Sequence, residues 1–213
     1  MVTITVAAIM TDLVEIFFAT GNAHKVAEMQ ALANDSKLSM RLRSAKDAGG
    51  MPTVPEDTGT FLGNARQKAR ALREQVGDHA WVLADDSGLC VDALGGEPGV
   101  ESANYAGPAA TSTANLAKLL GKLQGVPRER RTAHFTCVLF VIDPSGKEHN
   151  FIGRCDGRLL ERERGAAGFG YDPIFVPEAS HLTFAELGDA VKNGISHRAR
   201  AWEKFAEWWR TQA

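Results

Sequence analysis

The sequence predicts a mixed α/β fold, and three observations carry that expectation. An apolar run at Ile16-Phe17-Phe18 stops in Thr20-Gly21-Asn22 and passes through Lys25 into a segment where Val26, Met29 and Ala33 recur at helical spacing. A helix then precedes a strand, with helical periodicity from Phe61 to Val76 followed by the short apolar run Trp81-Val82-Leu83-Ala84. Further on, Ala133 to Asp143 and Glu148 to Cys155 read as strands joined by the turn residues Pro144-Ser145-Gly146-Lys147, which makes part of the sheet antiparallel.

The elements follow in order. After the first strand and helix, Met40 to Leu42 reads as a short strand, and the polar, Gly- and Pro-containing stretch through Pro55 reads as loop. In the helix from Phe61 to Val76, Phe61, Ala65, Ala69 and Leu72 share a face, while Arg66, Lys68, Arg70 and Arg73 fall mostly on the others. The run Trp81 to Ala84 is expected to end at Asp85-Asp86-Ser87-Gly88, a turn-like tetrad, before Leu89-Cys90-Val91. Gly95 to Pro108 is irregular, and long irregular segments in compact domains are often functional. Thr113 to Leu123 is helical with Ser112 as the expected cap. Glycines and prolines punctuate Gly165 to Pro177 around Ile174-Phe175-Val176. The last helix, Ser196 to Gln212, carries Ala199, Trp202, Phe205 and Trp209 on one stripe, an aromatic pattern that belongs to a core or a subunit interface.

Composition bounds the function. The chain has 213 residues, 44% of them hydrophobic and 23% charged, values of an ordinary globular protein with one substantial core. We expect an N-terminal extension over 1–13 and a single domain over 14–213. A formal net charge of −2 gives no general basic surface, so no polynucleotide partner is expected, and no apolar stretch is long enough for a membrane partner. Cys90, Cys137 and Cys155 are odd in number and widely spaced, which fits a reducing cytoplasm better than a disulfide framework. The histidines form no zinc pattern, so any metal is expected to be a hard ion held by carboxylates and phosphate.

Five constellations have the residue types that chemistry needs. Thr20-Gly21-Asn22-Ala23-His24-Lys25 places a tight turn, a helix start and a lysine together, an arrangement that attracts anions, although a strand, a Gly-Asn turn and a helix also make up any α/β unit. It is not a Walker A loop, because no Gly-Lys-Ser/Thr stands at the required spacing. Asp85 and Asp86 point to opposite faces of a strand, so only one faces a given pocket, as a metal ligand or a base for water, or else both cap nearby amides. Glu56 and Asp57 precede a helix, as charges favourable to its N-terminus or as a second metal carboxylate. Phe169-Gly170-Tyr171-Asp172 offers an aromatic face for a base or packs as a loop, and Lys192, His197 and Arg198 offer cations and donors near the last helix or are solvated helix-start charges.

Taken together these segments resemble one family. Thr20-Gly21-Asn22 with Lys25, Ala84-Asp85-Asp86-Ser87-Gly88-Leu89, Ala93-Leu94-Gly95-Gly96-Glu97-Pro98-Gly99, Gly168-Phe169-Gly170-Tyr171-Asp172-Pro173 and Ile195-Ser196-His197-Arg198 occur in the order seen in the inosine triphosphate pyrophosphatase family, whose bacterial members are dITP/XTP pyrophosphatases. The resemblance runs from about Val14 to the C-terminal helix. It implies an α/β fold of two lobes, a mixed sheet with flanking helices, the nucleotide in the cleft between lobes, and a homodimer. It also implies Mg²⁺-dependent hydrolysis of ITP, dITP and XTP to the monophosphate and pyrophosphate, which clears deaminated purines from the nucleotide pool.

Residue by residue, the resemblance makes Thr20, Gly21, Asn22, Ala23, His24 and Lys25 a phosphate-binding turn, Asp86 the proton acceptor and a metal ligand, and Ser87 a substrate contact. Glu56 matches the second metal ligand ahead of Thr60 to Ala65. Phe169, Gly170, Tyr171, Asp172, Lys192, His197 and Arg198 match substrate-binding positions, the last two beside the base. This chain departs from many relatives at Asn104, where they carry arginine, and at Val191, where they carry an acid. Two other functions stand beside this reading: a non-catalytic purine nucleotide sensor on the same fold, and a phosphatase that removes only the γ-phosphate. Asp86 together with Lys25 and Lys192 favours the enzyme over the sensor, and the products separate the two enzymes.

Overall fold

The structure is a computed structural model, and it describes residues 13–212. Apart from Leu13, the expected N-terminal extension lies outside the described residues. In chain order the elements are β1 (Val14–Phe18), α1 (Ala23–Asp35), β2 (Met40–Ser44), α2 (Phe61–Val76), β3 (Trp81–Val91), α3 (Ser112–Lys122), β4 (Thr132–Ile142), β5 (Glu148–Leu159), β6 (Phe175–Pro177), α4 (Phe184–Ile195) and α5 (His197–Arg210). The strands form one sheet in the order β2-β1-β3-β4-β5-β6. Pairing is parallel across β2, β1 and β3 and antiparallel from β3 to β6, so the sheet is mixed, as the sequence predicts.

Side-chain alternation along the strands divides the core into three. On one face Ile16, Phe18, Leu83 and Leu139 pack under α1 and α5 with Met29, Trp202 and Phe205. On the other, Val82, Ala84, Val138 and Phe140 meet Ala65, Ala69 and Leu72 of α2. Farther along the long strands, Leu89, Phe135 and Phe175 join Leu116, Leu119 and Phe184 of α3 and α4 in the core of a second lobe. Along one face of β3 the order is therefore Leu83, Asp85, Ser87, Leu89: apolar, polar, polar, apolar. The two polar residues interrupt hydrophobic continuity between the lobes, and the cleft opens there.

The main difference from the sequence reading lies in that strand. Asp85-Asp86-Ser87-Gly88 does not end β3, because every residue from Val82 to Val91 is in register with β4 from Ile142 to Ala133. The turn propensity of Asp, Ser and Gly is local, and a neighbouring strand that supplies all the ladder partners overrides it. Gly88 is needed where it stands, since a Cβ there would collide with the Gly99 carbonyl and Ser102. Three smaller corrections follow. Thr111, not Ser112, caps α3, accepting the Ala114 amide at 3.2 Å. Strand β5 runs on to Leu159. Lys192 belongs to a helix the sequence reading did not contain, α4, which opens on a Thr183/Glu186 capping box and is broken by Gly188 at φ 73°.

Candidate active site

The site is assembled on the polar interruption of β3. At its first corner, β1 ends and Thr20 Oγ1 accepts the Asn22 amide at 3.1 Å, while Asn22 Oδ1 accepts the amides of His24 at 2.9 Å and Lys25 at 3.4 Å. Asn22 is thus the N-cap of α1. Gly21, Asn22, Ala23 and His24 are exposed at the mouth of the cleft, with Lys25 half-buried behind them. Because Asn22 occupies two of the first-turn amides, the attraction for an anion here rests mainly on the helix dipole and the Lys25 ammonium.

Lys25 reaches inward to Asp85, whose side chain is completely buried. Asp85 Oδ2 also accepts from Arg198 Nε at 3.2 Å and from the Cys137 thiol at 3.3 Å. Burial alone would push this carboxyl up; the charges of Lys25 and Arg198 outweigh it and hold Asp85 well below the usual carboxylate range. Asp86 emerges on the opposite face of the sheet, toward α2. Its Oδ1 accepts from Lys68 Nζ at 2.7 Å, whereas its Oδ2 is buried and has no partner. Burial raises the Asp86 pKa above the ordinary value, against the pull of Lys68 and Lys25. Lys68 also meets Glu56 Oε2 at 2.5 Å, so one ammonium joins both carboxylates singled out as metal ligands. Its pKa is raised, burial being outweighed by Asp86 and Glu56, so Lys68 is charged.

On the second lobe, Asp172 Oδ2 accepts from Lys192 Nζ at 2.7 Å and from the Phe169 amide at 2.9 Å. This fixes the loop so that the Lys192 ammonium lies 4.6 Å from the centre of the Phe169 ring. His24 stacks on the same ring across the cleft, at a centroid distance of 6.0 Å. Tyr171 is buried, and its hydroxyl donates to the Ser102 carbonyl at 2.9 Å. Ser196 ends α4 and caps α5, accepting the Ala199 amide at 3.1 Å, which delivers His197 and Arg198 in the first turn. His197 lies flat on Phe135, with 4.7 Å between ring centres, and its Nδ1 is buried without a partner. Burial, aided by Arg198 and Lys192, drives its pKa far down, so the ring is neutral. Arg198 donates to Asp85, to Glu28 Oε2 at 3.1 Å and to Ser87 Oγ at 2.7 Å.

Two cavities meet at this point. One, of about 200 Å³, is lined by Phe135, Phe169, Gly170, Tyr171, His197 and Arg198 among others. The other, of about 550 Å³, is lined by Thr20, Gly21, Glu56, Lys68, Asp85, Asp86 and Asn104 among others. Asn22, Lys25, Ser87 and Ala103 belong to both. The cleft thus has a compartment with aromatic walls joined to a larger one studded with cations and carboxylates.

All the site residues predicted from sequence border this cleft except Ala23 and His24, which sit at its rim. Three that matter were missed: Lys68, Glu28 and the ion-pairing role of Asp85. Lys68 carried a signal, since it lies three residues after Ala65 and four before Leu72 and so shares the buried face of α2 rather than the solvated one.

The fold and the cleft define a two-lobed α/β protein whose chamber is walled by aromatic rings at one end and by cations and carboxylates at the other. The model of the Ham1 family matches residues 16–208, and the chain belongs to that family. The dITP/XTP pyrophosphatase of Opitutus terrae is 58% identical over 200 residues, covering 92% of this chain and 98% of that protein. The dITP/XTP pyrophosphatase of Geobacillus kaustophilus is 47% identical over 195 residues, covering 92% and 94%. Among solved structures, the Staphylococcus aureus Ham1 protein superposes with a TM-score of 0.82 at 34% identity, covering 93% of this chain and all (100%) of that one. The nucleoside-triphosphatase / dITP/XTP pyrophosphatase of Mycobacterium abscessus gives 0.72 at 40% identity, covering 90% and 97%.

Proposed function

We propose that this chain hydrolyses XTP, ITP and dITP to the corresponding monophosphate and pyrophosphate. The single observation that carries the reading is the orphaned, buried Oδ2 of Asp86, an acceptor with no protein partner on a carboxylate whose residue lines the cationic compartment. Simple binding of a polyanion gains nothing from such an oxygen, whereas hydrolysis needs one to take a proton from water.

In this reading the purine lies in the aromatic compartment against Phe169 and the triphosphate in the cationic one. Lys25 and Lys68 hold the phosphates, and Asp86 Oδ2 orients a water and takes its proton as the oxygen attacks the α-phosphorus. The bond from that phosphorus to the bridging oxygen breaks, and pyrophosphate leaves. Asp86 and Glu56 fit Mg²⁺: Asp86 Oδ1 and Glu56 Oε2 are hard oxygen donors already gathered around one cation, the Lys68 ammonium, and such ions are held by one or two carboxylates beside substrate phosphates. When bound, Mg²⁺ supplies positive charge that stabilises the departing pyrophosphate.

Base choice follows from donor inventory. A guanidinium has five N–H groups and no acceptor. Arg198 spends three of them on Asp85, Glu28 and Ser87, leaving two for a ligand. Those groups and His197 Nδ1 suit the 6-oxo group of hypoxanthine and xanthine and leave adenine's 6-amino group unpaired. We further propose that the protein works as a cytoplasmic homodimer. A panel of XTP, ITP, dITP, ATP and GTP with Mg²⁺ tests the function. Monophosphate plus pyrophosphate from the first three supports it; diphosphate plus phosphate, or no turnover, contradicts it.

A further inference from the structure

We infer that Lys68 is a placeholder for the divalent cation: in the nucleotide-free protein its ammonium occupies the seat between Asp86 and Glu56, and the metal is admitted only when a triphosphate becomes the ammonium's new partner. The inference rests on the reading of this site as a metal-dependent nucleotide hydrolase.

The geometry is specific. Lys68 Nζ stands 2.7 Å from Asp86 Oδ1 and 2.5 Å from Glu56 Oε2, so it bridges the two carboxylates as a cation would. Its side chain is 11% exposed and that of Asp86 8%, so the pair is largely withdrawn from water. Nor is the contact made by wandering chains. Asp86 is fixed in the β3–β4 ladder, and Lys68 springs from a helix anchored by fully buried Ala65, Ala69 and Leu72.

A Mg²⁺ ion binds oxygen at about 2.0–2.1 Å, so between these same two carboxylates it must take the place of the ammonium. Evicting Lys68 with no acceptor ready leaves a nearly buried ammonium unpaired beside an arriving dication, which is doubly unfavourable. A triphosphate removes both objections, because its oxygens accept from Lys68 while sharing the metal with Asp86 and Glu56. Metal and nucleotide binding are then strongly coupled, each strengthening the other by the same factor. The protein recognises the metal–nucleotide complex and stays nearly metal-free between turnovers.

Titration of the nucleotide-free protein with Mn²⁺, followed by electron paramagnetic resonance, tests this. Lys68→Met and Lys68→Gln, checked for folding by thermal unfolding, are expected to bind Mn²⁺ at least ~10-fold more tightly than the unmodified chain. Adding Asp86→Asn to Lys68→Met should abolish the gain. Folded Lys68 variants that bind no more tightly overturn the placeholder while leaving the hydrolase reading intact. A gain that survives Asp86→Asn shows the cation seated elsewhere and removes the metal reading as well. The unmodified protein supplies a measurement that needs no variant: stoichiometric Mn²⁺ without nucleotide should leave the Lys68 ammonium NMR resonance unbroadened, and strong broadening overturns the inference.

Discussion

Asp85 and Asp86 are consecutive residues of β3 that leave the sheet on opposite faces into opposite surroundings. Asp85 is clasped by Lys25 and Arg198 and held deprotonated, whereas Asp86 keeps one oxygen bare and has its pKa raised. In the proposed reading one carboxylate serves architecture and its neighbour the chemistry.

Asn substitutions should separate the two. Asp86→Asn keeps the shape and removes the base, so kcat is expected to fall by at least ~10²-fold with stability little changed. Asp85→Asn leaves two cations without their shared counter-charge in a buried site, so the loss should appear as about 3 kcal/mol of unfolding free energy. Steady-state kinetics and urea denaturation of both variants read the two outcomes.

The pH dependences have opposite signs of origin. As the proposed base, Asp86 must be deprotonated, and burial raises its pKa, so the acid limb of kcat/KM should stand above the 3.8 of an ordinary aspartate. Asp85 is depressed below 3.8 in the folded protein, so its contribution to stability is present above pH 3.8 and is lost as pH falls toward its folded value. The stability gap between the unmodified chain and Asp85→Asn should therefore narrow below pH 3.8.

Gly153 should matter to substrate binding although it lines neither compartment of the cleft. A Cβ there would run into the His197 carbonyl and the Ala201 backbone, so α5 lies directly on β5 at this glycine. Gly153→Ala must push away the first turn of α5, which carries His197 and Arg198. We expect a loss of about 1–3 kcal/mol in stability and a raised KM, measured by denaturation and by ITP kinetics.

Arg198 ties the fold together through Asp85, Glu28 and Ser87, and the proposed function adds a contact to the base. Arg198→Lys keeps a charge beside Asp85 but loses the donor fork, so kcat/KM for ITP should fall much more than for ATP, narrowing the preference with the fold retained. Equal proportional losses on both nucleotides would assign Arg198 to the phosphates or the fold alone.

Much of this was legible in the sequence because it is encoded locally. The strand, Thr-Gly-Asn turn and helix around Ile16 to Ala33, the α2 stripe and the β4–β5 hairpin all follow from period and turn chemistry. The continuity of β3 was not legible, because Asp85 to Gly88 look like a turn until β4 lies alongside. Helix α4 was hidden by Gly188 and Gly194, and its Thr183/Glu186 capping box passed unnoticed. The candidate site was legible in its residues but not in its wiring, since Lys25–Asp85, Lys68–Asp86 and Lys192–Asp172 join positions 60, 18 and 20 apart, a relation that only the fold creates.

The proposed reaction stands on attack of water at the α-phosphorus. Hydrolysis of XTP in ¹⁸O-enriched water measures this directly, by mass spectrometry of the products after a single turnover. The label is predicted to appear in the phosphate of the monophosphate and not in the pyrophosphate. Label in pyrophosphate would move the attack to the β-phosphorus, label in inorganic phosphate would move it to the γ-phosphorus, and either result would contradict the account.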